Sequence, residues 1–311
     1  MLVNAKHAEL HSCMCGLVLA VLVTCFSGLG CAAVQAQGMG FSDDVYGLDY
    51  SPSPLRALAG PVGGYEFLPL GTLYPAYLAG PKESRLGSQI FSERDDGLLW
   101  DTTLGGRFGW FRMTSFDGQR AWQVDVEGAA ILRLDPENDV DLTSVDFRAG
   151  IPISFAWGPN RLKLGYYHLS AHAGDEFLLK NPDFQRLNYV RDALLVGYSR
   201  YFGERVRVYG ETSWAFFSDV SDPWNFQFGY EYAPTRGTGI RGEPFFAINT
   251  LLRDEVDFSG TATVHAGWAW REGMAGRLLR TGLFFQTGKS HQYEFHDTSE
   301  TQFGAGVWYD F

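Results

Sequence analysis

Cysteine is nearly absent from this sequence. The chain has four cysteines, and all of them lie close to its amino terminus, at Cys13, Cys15, Cys25 and Cys31. The remainder of the chain therefore has no thiol. This excludes a disulfide framework, a thiolate metal site and a cysteine nucleophile for everything after Cys31.

Long apolar runs and an excess of basic residues are missing as well. After residue 36 no stretch reaches the ~18 uninterrupted apolar residues that a membrane-spanning helix needs. Acidic residues outnumber basic ones, 36 to 25, and the formal net charge is -11. An acidic balance argues against nucleic acid as a partner. The sequence also gives no reason to expect a cofactor or a bound metal.

The first 36 residues have the features of an export signal. Lys6 precedes an apolar stretch from Gly16 to Gly30, and Val34-Gln35-Ala36 has the small-x-small pattern that signal peptidase accepts. We therefore predict a signal peptide over residues 1–36, cleaved after Ala36. A lipoprotein signal and an uncleaved anchor are weaker alternatives, because glycine stands at the lipobox leucine position and polar residues interrupt the apolar stretch.

From residue 84 onward, segments of about ten residues alternate in polarity, and this period of two predicts β-strands. The segment from Trp122 to Leu132 shows the pattern most clearly. Its apolar and small residues share one parity, and its polar residues share the other: Trp122, Val124, Val126, Gly128, Ala130 and Leu132 against Gln123, Asp125, Glu127 and Arg133. One face of such a strand can contact hydrocarbon while the other faces water.

The alternation and the turn residues predict an all-β fold, an antiparallel transmembrane β-barrel of about 12 strands. The predicted strands are 84–93, 98–113, 120–134, 142–156, 161–173, 190–202, 205–217, 224–232, 243–253, 258–270, 277–290 and 302–311. Bacterial single-chain barrels have an even number of strands, each with ~9 to 11 residues inside the hydrocarbon.

Counting back from the carboxyl terminus assigns each connection to one side of the membrane. The connections predicted to be periplasmic are 115–119, 157–160, 203–204, 233–242 and 271–276. The connections predicted to be extracellular are 135–141, 174–189, 218–223, 253–257 and 291–301.

The last strand gives the sharpest single signal for a barrel of the bacterial outer membrane. Alternate residues from Phe303 to the terminal Phe311 are apolar, and the chain ends on an aromatic residue, as in the signal read by the outer-membrane assembly machinery. Aromatic residues also cluster at strand ends, as in interfacial girdles. We therefore expect outer-membrane lipid and the barrel-assembly machinery as partners. An exported soluble β-sandwich that binds a ligand remains an alternative.

Residues 37–83 differ in character from the rest, with six prolines and little alternation. They predict an irregular periplasmic segment or a plug-like segment. The predicted organisation is therefore a signal peptide (1–36), this proline-rich segment (37–83) and an outer-membrane barrel (84–311).

The stretch from Tyr166 to Glu176 has the densest set of chemically active side chains. His168, Ser170 and His172 are spaced by two, so a strand places them on one face, together with Leu162 and Leu164. An imidazole can act as general base for a hydroxyl, and an acid can orient the imidazole. His168, Ser170 and Glu176 are therefore candidate catalytic residues for ester cleavage.

Two other interpretations of this stretch remain open. The first is a structural polar cluster, with His172, Asp175, Arg186 and Asn188, in which His168 to Glu176 anchor the loop 174–189 by pairing with Arg186 or Arg191. The second is a metal site at His172, Asp175 and Glu176, for which the case is weaker.

Two resemblances add to this interpretation. The pair His168-x-Ser170 resembles the His-x-Ser pair of outer-membrane phospholipase A and the lipid A deacylase, although Ala171 stands where both have asparagine. More widely, the chain from about 65 to 311 resembles the family of domain of unknown function 1207. The residues that carry this likeness are His168 to Glu176, Arg186 to Asp192, Val208 to Glu211, Phe67 to Pro69 and Ala79 to Pro81. The resemblance implies an outer-membrane barrel and no known activity.

Along the predicted strands, the alternate positions that are polar include charges of both signs. This predicts a narrow or plugged lumen closed by ion pairs. These residues are Asp125, Glu127, Arg133, Arg148, Lys163, Arg205, Arg207 and Glu211. A structural or transport role is the first expectation, and a lipid esterase using the His-x-Ser pair is the alternative.

Overall fold

The computed structural model of the protein describes residues 64–273 and 276–311, all within the second of the two units into which the chain divides, Ser51–Phe311. In these residues a first short strand, β1 (Tyr65–Phe67), precedes twelve longer ones. These are β2 (Leu86–Glu93), β3 (Gly97–Thr114), β4 (Arg120–Asp135), β5 (Asp141–Trp157), β6 (Asn160–Ala173), β7 (Val190–Phe202), β8 (Val206–Asp219), β9 (Trp224–Tyr232), β10 (Glu243–Arg253), β11 (Gly260–Arg271), β12 (Leu278–Lys289) and β13 (Ser299–Asp310).

Within residues 64–273 and 276–311, three single turns of 3-10 helix and one short α-helix, α1 (Asp175–Lys180), lie in the connections. In the described part of the chain, no helix has the length and apolar character needed to cross a membrane. The predicted signal peptide and its cleavage site lie outside the described residues, so both stay predictions.

Strands β2 to β13 form a closed antiparallel barrel, which we call the wall. Each strand pairs with its neighbours in the sequence, and β13 pairs with β2 from Gln302 opposite Glu93 to Tyr309 opposite Leu86. The prediction of twelve antiparallel strands is confirmed, and no predicted strand end lies more than three residues from the observed one. Closure leaves no sheet edge along this seam.

Side chains alternate between the inner and outer faces of the wall, as the period of two requires. On β4, Gln123 and Asp125 are 0% exposed on the inner face. Trp122 and Val124, which alternate with them, lie on the outer face. Large apolar side chains cover the outer face of other strands as well, and Leu104 and Leu283 are more than half exposed. The outer surface is therefore apolar around the barrel.

The connections gather at two ends of the barrel. We call one the turn end, where the connections are 115–119, 158–159, 203–205, 233–242 and 272–277, and the other the loop end, where they are 94–96, 136–140, 174–189, 220–223, 254–259 and 290–298. The turn end matches the side predicted to be periplasmic, and the loop end matches the side predicted to be extracellular.

Strands β1 and β2 are two parts of one interrupted strand. Both pair antiparallel with the same edge of β3: Tyr65–Phe67 oppose Phe111–Met113, and Leu86–Glu93 oppose Gly97–Leu104. The eighteen residues between them, 68–85, leave the wall and run through the interior of the barrel. We call residues 68–85 the lumen segment.

A charge on the outer face should be costly, and this is our first prediction. Val126 lies near the middle of β4 on the outer face. In a barrel whose exterior contacts hydrocarbon, Val126→Arg should destabilise the fold by about 2–4 kcal/mol. Reversible urea unfolding in lipid vesicles measures this change.

Leu179 on α1 provides the matched control, because it is 83% exposed and lies outside the strands. Leu179→Arg should change stability by no more than about 0.5 kcal/mol. Equal costs at the two positions would contradict a hydrocarbon-facing exterior.

Candidate functional site

The inner face of the wall is lined with paired charges. Arg133 lies 2.9 Å from Asp101 and 2.7 Å from Glu300, and Arg107 lies 2.7 Å from Asp125. A buried charge is tolerated only when it is paired and hydrogen-bonded, because desolvation of an isolated ion is very costly. The ion pairs therefore allow the barrel to enclose many charges.

Seven of the eight predicted lumenal charges lie on this inner face, including Lys163, which is 2.6 Å from Glu211. The prediction for Arg205 was wrong. It precedes β8 in a connection at the turn end, where it is exposed and lies 2.7 Å from Glu243. The strand begins one residue later than the alternation suggested, so Arg205 never enters the wall.

Arginines of the wall donate hydrogen bonds to the backbone of the lumen segment. Arg112 donates to the carbonyl oxygens of Leu70 and Gly71 at 3.1 and 2.9 Å, and Arg207 donates to those of Pro75 and Ala76 at 3.0 and 3.1 Å. Arg280 donates to the Leu78 carbonyl at 3.1 Å. A segment without secondary structure must have its polar groups satisfied in this way when it is buried.

Side chains of the lumen segment pack on the inner face too. The Tyr77 ring stacks on Tyr209 with centroids 3.9 Å apart, and its hydroxyl donates to Glu211 at 2.9 Å. Lys82 forms a buried ion pair with Asp146. Arg85 lies 3.4 Å from Asp310, close to the carboxyl terminus. The segment thus contacts strands on several sides of the barrel.

A small cavity lies beside the lumen segment. A cavity of about 30 Å³ is lined by residues that include Glu83, Asp101, His265 and His291. A water needs at least ~10–15 Å³ of such volume, so this cavity has room for water and none for a solute of metabolite size.

The loop end is covered by two connections that pack on each other through aromatic rings. Phe177 of α1 and Phe184 contact Phe295, with centroid distances of 5.4 and 5.6 Å. Glu294 is 2% exposed, and its carboxylate accepts a hydrogen bond from the Leu187 backbone N–H at 2.7 Å. We call residues 174–189 and 290–298 the cap.

A second candidate site lies on the outer face of β6, near the loop end. His168, Ser170 and His172 share the outer face with Leu162 and Leu164, as the sequence predicted. His168 faces Asp192 across the β6–β7 pair, and its Nδ1 lies 2.9 Å from the Asp192 carboxylate. The Tyr166 hydroxyl donates to the same carboxylate oxygen at 2.6 Å.

The acid beside His168 is therefore Asp192, which sequence reasoning did not select. The sequence does contain a signal for Asp192. It is an acidic residue in the same alternating set as Leu194 and Val196, which places it on the outer face of β7. Glu176, the predicted acid, is exposed on α1 and forms no hydrogen bond with His168. Spacing along one strand cannot identify a partner that the register of the next strand supplies.

Ser170 lies directly opposite Phe147 of β5 and Val190 of β7. In the described residues no hydrogen bond joins it to His168. The two side chains are on the same face at positions i and i+2, so a change of rotamer decides whether the hydroxyl reaches the free Nε2.

Of the other polar residues predicted here, His172 and Arg186 lie within electrostatic reach of each other, whereas Asp175 and Asn188 have other surroundings. Asp175 is exposed on α1, and Asn188 donates to Asp219 at 3.2 Å. Arg191 turns to the inner face, where it donates to Ser221 at 2.7 Å, so it does not anchor His168. Within the described residues there is no group of three or more His, Cys, Asp or Glu that could hold a metal, so the structure gives the metal alternative no support.

The contact with Asp192 bears on the tautomer of His168. A carboxylate only accepts hydrogen bonds, so a neutral His168 would donate its Nδ1–H to Asp192, and Nε2 would then be the proton acceptor. Apolar side chains flank the pair on the outer face, among them Phe147, Ile151 and Leu194, all about half exposed. An amphiphile could present a polar group to His168 while its chains lie against these neighbours.

The family model described as "Protein of unknown function (DUF1207)" matches residues 62–311. The chain belongs to this family. The resemblance seen in the sequence, from about 65 to the carboxyl terminus, is thereby confirmed. No curated protein matches the chain.

Several solved barrels are similar in structure. The outer membrane phospholipase A from Escherichia coli has 10% identity and a TM-score of 0.47, covering 76% of this chain and 93% of that chain. The porin of Rhodopseudomonas blastica, in a triple mutant, has 10% identity and a TM-score of 0.32, covering 73% and 99%. The beta domain of the Bordetella autotransporter BrkA has 10% identity and a TM-score of 0.36, covering 73% and 97%.

Our second prediction concerns the pH dependence of the cap. Burial raises the pKa of Glu294 above its ordinary value, more than the Leu187 N–H and Arg186 lower it. The folded cap therefore binds more protons than the open one, so its stability falls as pH rises from the ordinary pKa through the raised one. Protection of the 290–298 amides against hydrogen exchange should decrease over that range.

Glu294→Gln removes the titrating group and should make this protection independent of pH. Glu137, exposed in a connection at the loop end, provides the control, and Glu137→Gln should leave the dependence unchanged. Persistence of the full pH dependence in Glu294→Gln would exclude Glu294 as its origin.

Proposed function

We propose that this chain is a bacterial outer-membrane barrel that does not act as an open diffusion pore, and that its role is structural or in transport that requires a change of conformation. The observation that carries this proposal is the passage of residues 68–85 through the lumen. In this proposal the apolar outer face contacts outer-membrane lipid, and strand β13 is read by the barrel-assembly machinery.

The charges around the lumen segment support the proposal. Lys82 pairs with Asp146, and the wall arginines Arg112, Arg207 and Arg280 donate to the backbone of the segment. Charge-assisted hydrogen bonds of this kind are about twice as strong as neutral ones. A solute would have to displace them to pass.

The third prediction follows from this. Purified protein in planar bilayers should show no steady conductance at neutral pH, because residues 68–85 run through the lumen and are held there by the wall. A control channel of known conductance in the same bilayers confirms that insertion is detected. Steady, large conductance from the unmodified chain would contradict the proposal.

A second candidate function is a lipid esterase on the outer face, and the observation that favours it is the hydrogen-bonded pair of His168 and Asp192. In this mechanism the Ser170 hydroxyl attacks the ester carbonyl while His168 Nε2 accepts its proton. His168 then gives the proton to the departing alcohol, and water releases the fatty acid from Ser170. Asp192 holds the tautomer and stabilises the imidazolium.

The fourth prediction tests that mechanism with purified protein and phospholipid in mixed micelles. Ser170→Ala should abolish the release of fatty acid, and Asp192→Asn should lower its rate by about 10²- to 10⁴-fold, because the wrong histidine tautomer is then favoured. Ser199 is 0% exposed on the inner face of the wall, and Ser199→Ala should leave the rate unchanged.

Release that survives Ser170→Ala would remove Ser170 from the mechanism. No release from the unmodified chain would remove the esterase candidate altogether. Neither result affects the proposal of a closed lumen, which the conductance experiment tests.

A further inference from the structure

The lumen segment leaves and re-enters the wall at one edge. Strand β1 ends opposite Phe111 and β2 begins opposite Leu104, so both ends of the segment meet β3 within a few residues of each other. Between these two pairings, β3 runs through Gly105, Gly106 and Gly109. The Gly109 backbone lies so close to Pro69 that a Cβ there would be 2.6 Å from the proline ring.

The lumen segment forms almost no backbone hydrogen bonds with the strands of the wall. Among the backbone hydrogen bonds of the described residues, only that from Leu68 N–H to the Trp110 carbonyl, 3.1 Å, joins it to the wall. Every other polar contact with the wall involves a side chain, as with Arg112, Arg207 and Lys82. Loss of these contacts breaks no strand pair of the barrel.

The chain turns sharply where it leaves the wall. Leu68 has a φ of 53° and Gly71 has a φ of 70°, both in the left-handed region. This conformation is unfavourable for a leucine, so Leu68 adopts it only because the contacts on both sides impose it. A rotation at these two residues would change the direction in which the segment runs.

We propose that residues 68–85 are a removable plug, which swings out of the barrel toward the turn end while all twelve wall strands stay paired. This inference rests on the proposed closed lumen and extends it with the means of opening. Both ends of the plug stay attached to one edge of β3, so it leaves as a loop and returns without threading.

One residue of the wall contacts both the plug and the cap. Asp146 on β5 pairs with Lys82 of the plug and also accepts a hydrogen bond from the Tyr293 backbone N–H at 3.1 Å. The Lys82 ammonium also lies 4.7 Å from the centre of the Tyr293 ring. Departure of the plug therefore removes the Lys82 ammonium from the Tyr293 ring and leaves Asp146, which holds the Tyr293 N–H, without its counter-ion, so that opening at the turn end acts on the cap at the loop end.

The test uses thiol labelling in a chain whose four native cysteines are replaced by serine. Ser84 is 5% exposed in the plug, and its hydroxyl has no hydrogen-bond partner among the described residues, so we expect Ser84→Cys to be nearly neutral. The variant is placed in vesicles and treated with a membrane-impermeant maleimide at rising urea. Integrity of the barrel is followed in parallel by its β-sheet circular dichroism and by its migration in unheated gels.

We expect Ser84→Cys to become labelled at urea concentrations that leave the barrel signals unchanged, and to be protected again when the urea is diluted before the maleimide is added. Ser199→Cys, on the inner face of the wall, should become labelled over the same range, and Ser115→Cys, in an exposed turn, should label without urea. Labelling of Ser84→Cys that coincides with loss of the barrel signals would overturn the proposal.

A second variant tests the contacts that hold the plug. Adding Lys82→Ala to the Ser84→Cys chain should lower the urea midpoint of labelling by on the order of 1 M. The shift comes from the loss of one buried ion pair, when the free energy of opening depends on urea as in other small transitions. The barrel midpoint should not move. Equal shifts of both midpoints would show that the segment unfolds only with the wall and would refute a removable plug.

Conductance in planar bilayers tests the closed lumen separately from the removable plug. Steady conductance without urea refutes the closed lumen whatever the labelling shows. A silent bilayer together with coincident midpoints keeps the closed lumen and refutes the removable plug.

Discussion

The structure depends on the pairing of backbone N–H and C=O groups around the whole sheet. In hydrocarbon each unpaired group costs several kcal/mol, so a sheet can span a membrane only when it has no free edge. The pairing of β13 with β2 closes the sheet. Once the sheet is closed, alternate side chains must face either the outside or the interior, and this separates the apolar residues from the charged ones.

The interior of the barrel follows from that separation. Twelve strands enclose more space than their own side chains fill, and the charged inner parity requires partners. The lumen segment provides backbone carbonyls for Arg112, Arg207 and Arg280, and Lys82 for Asp146. The proposed closed lumen, the proposed plug and its link to the cap thus follow from one electrostatic requirement.

The strands and their two faces could be predicted from the sequence because alternation is a local property. Each stretch such as Trp122 to Arg133 carries its own evidence for inside and outside. The path of residues 68–85 could not be predicted, because it is held by side chains of β3, β8 and β12 that are far away in the sequence. The same limit explains the missed Asp192: its place beside His168 depends on the register between β6 and β7. The candidate site was therefore half predictable, the histidine and serine from spacing and the acid only from the fold.

A cysteine scan of β4 tests the two-faced wall most directly. Single cysteines at 122 to 133 in vesicles would be treated with a thiol reagent confined to the lipid. The account predicts strong labelling at even positions and protection at odd ones, from Gln123 to Arg133. Uniform labelling, or protection of Trp122, Val124 and Val126 within a water-soluble particle, would contradict it.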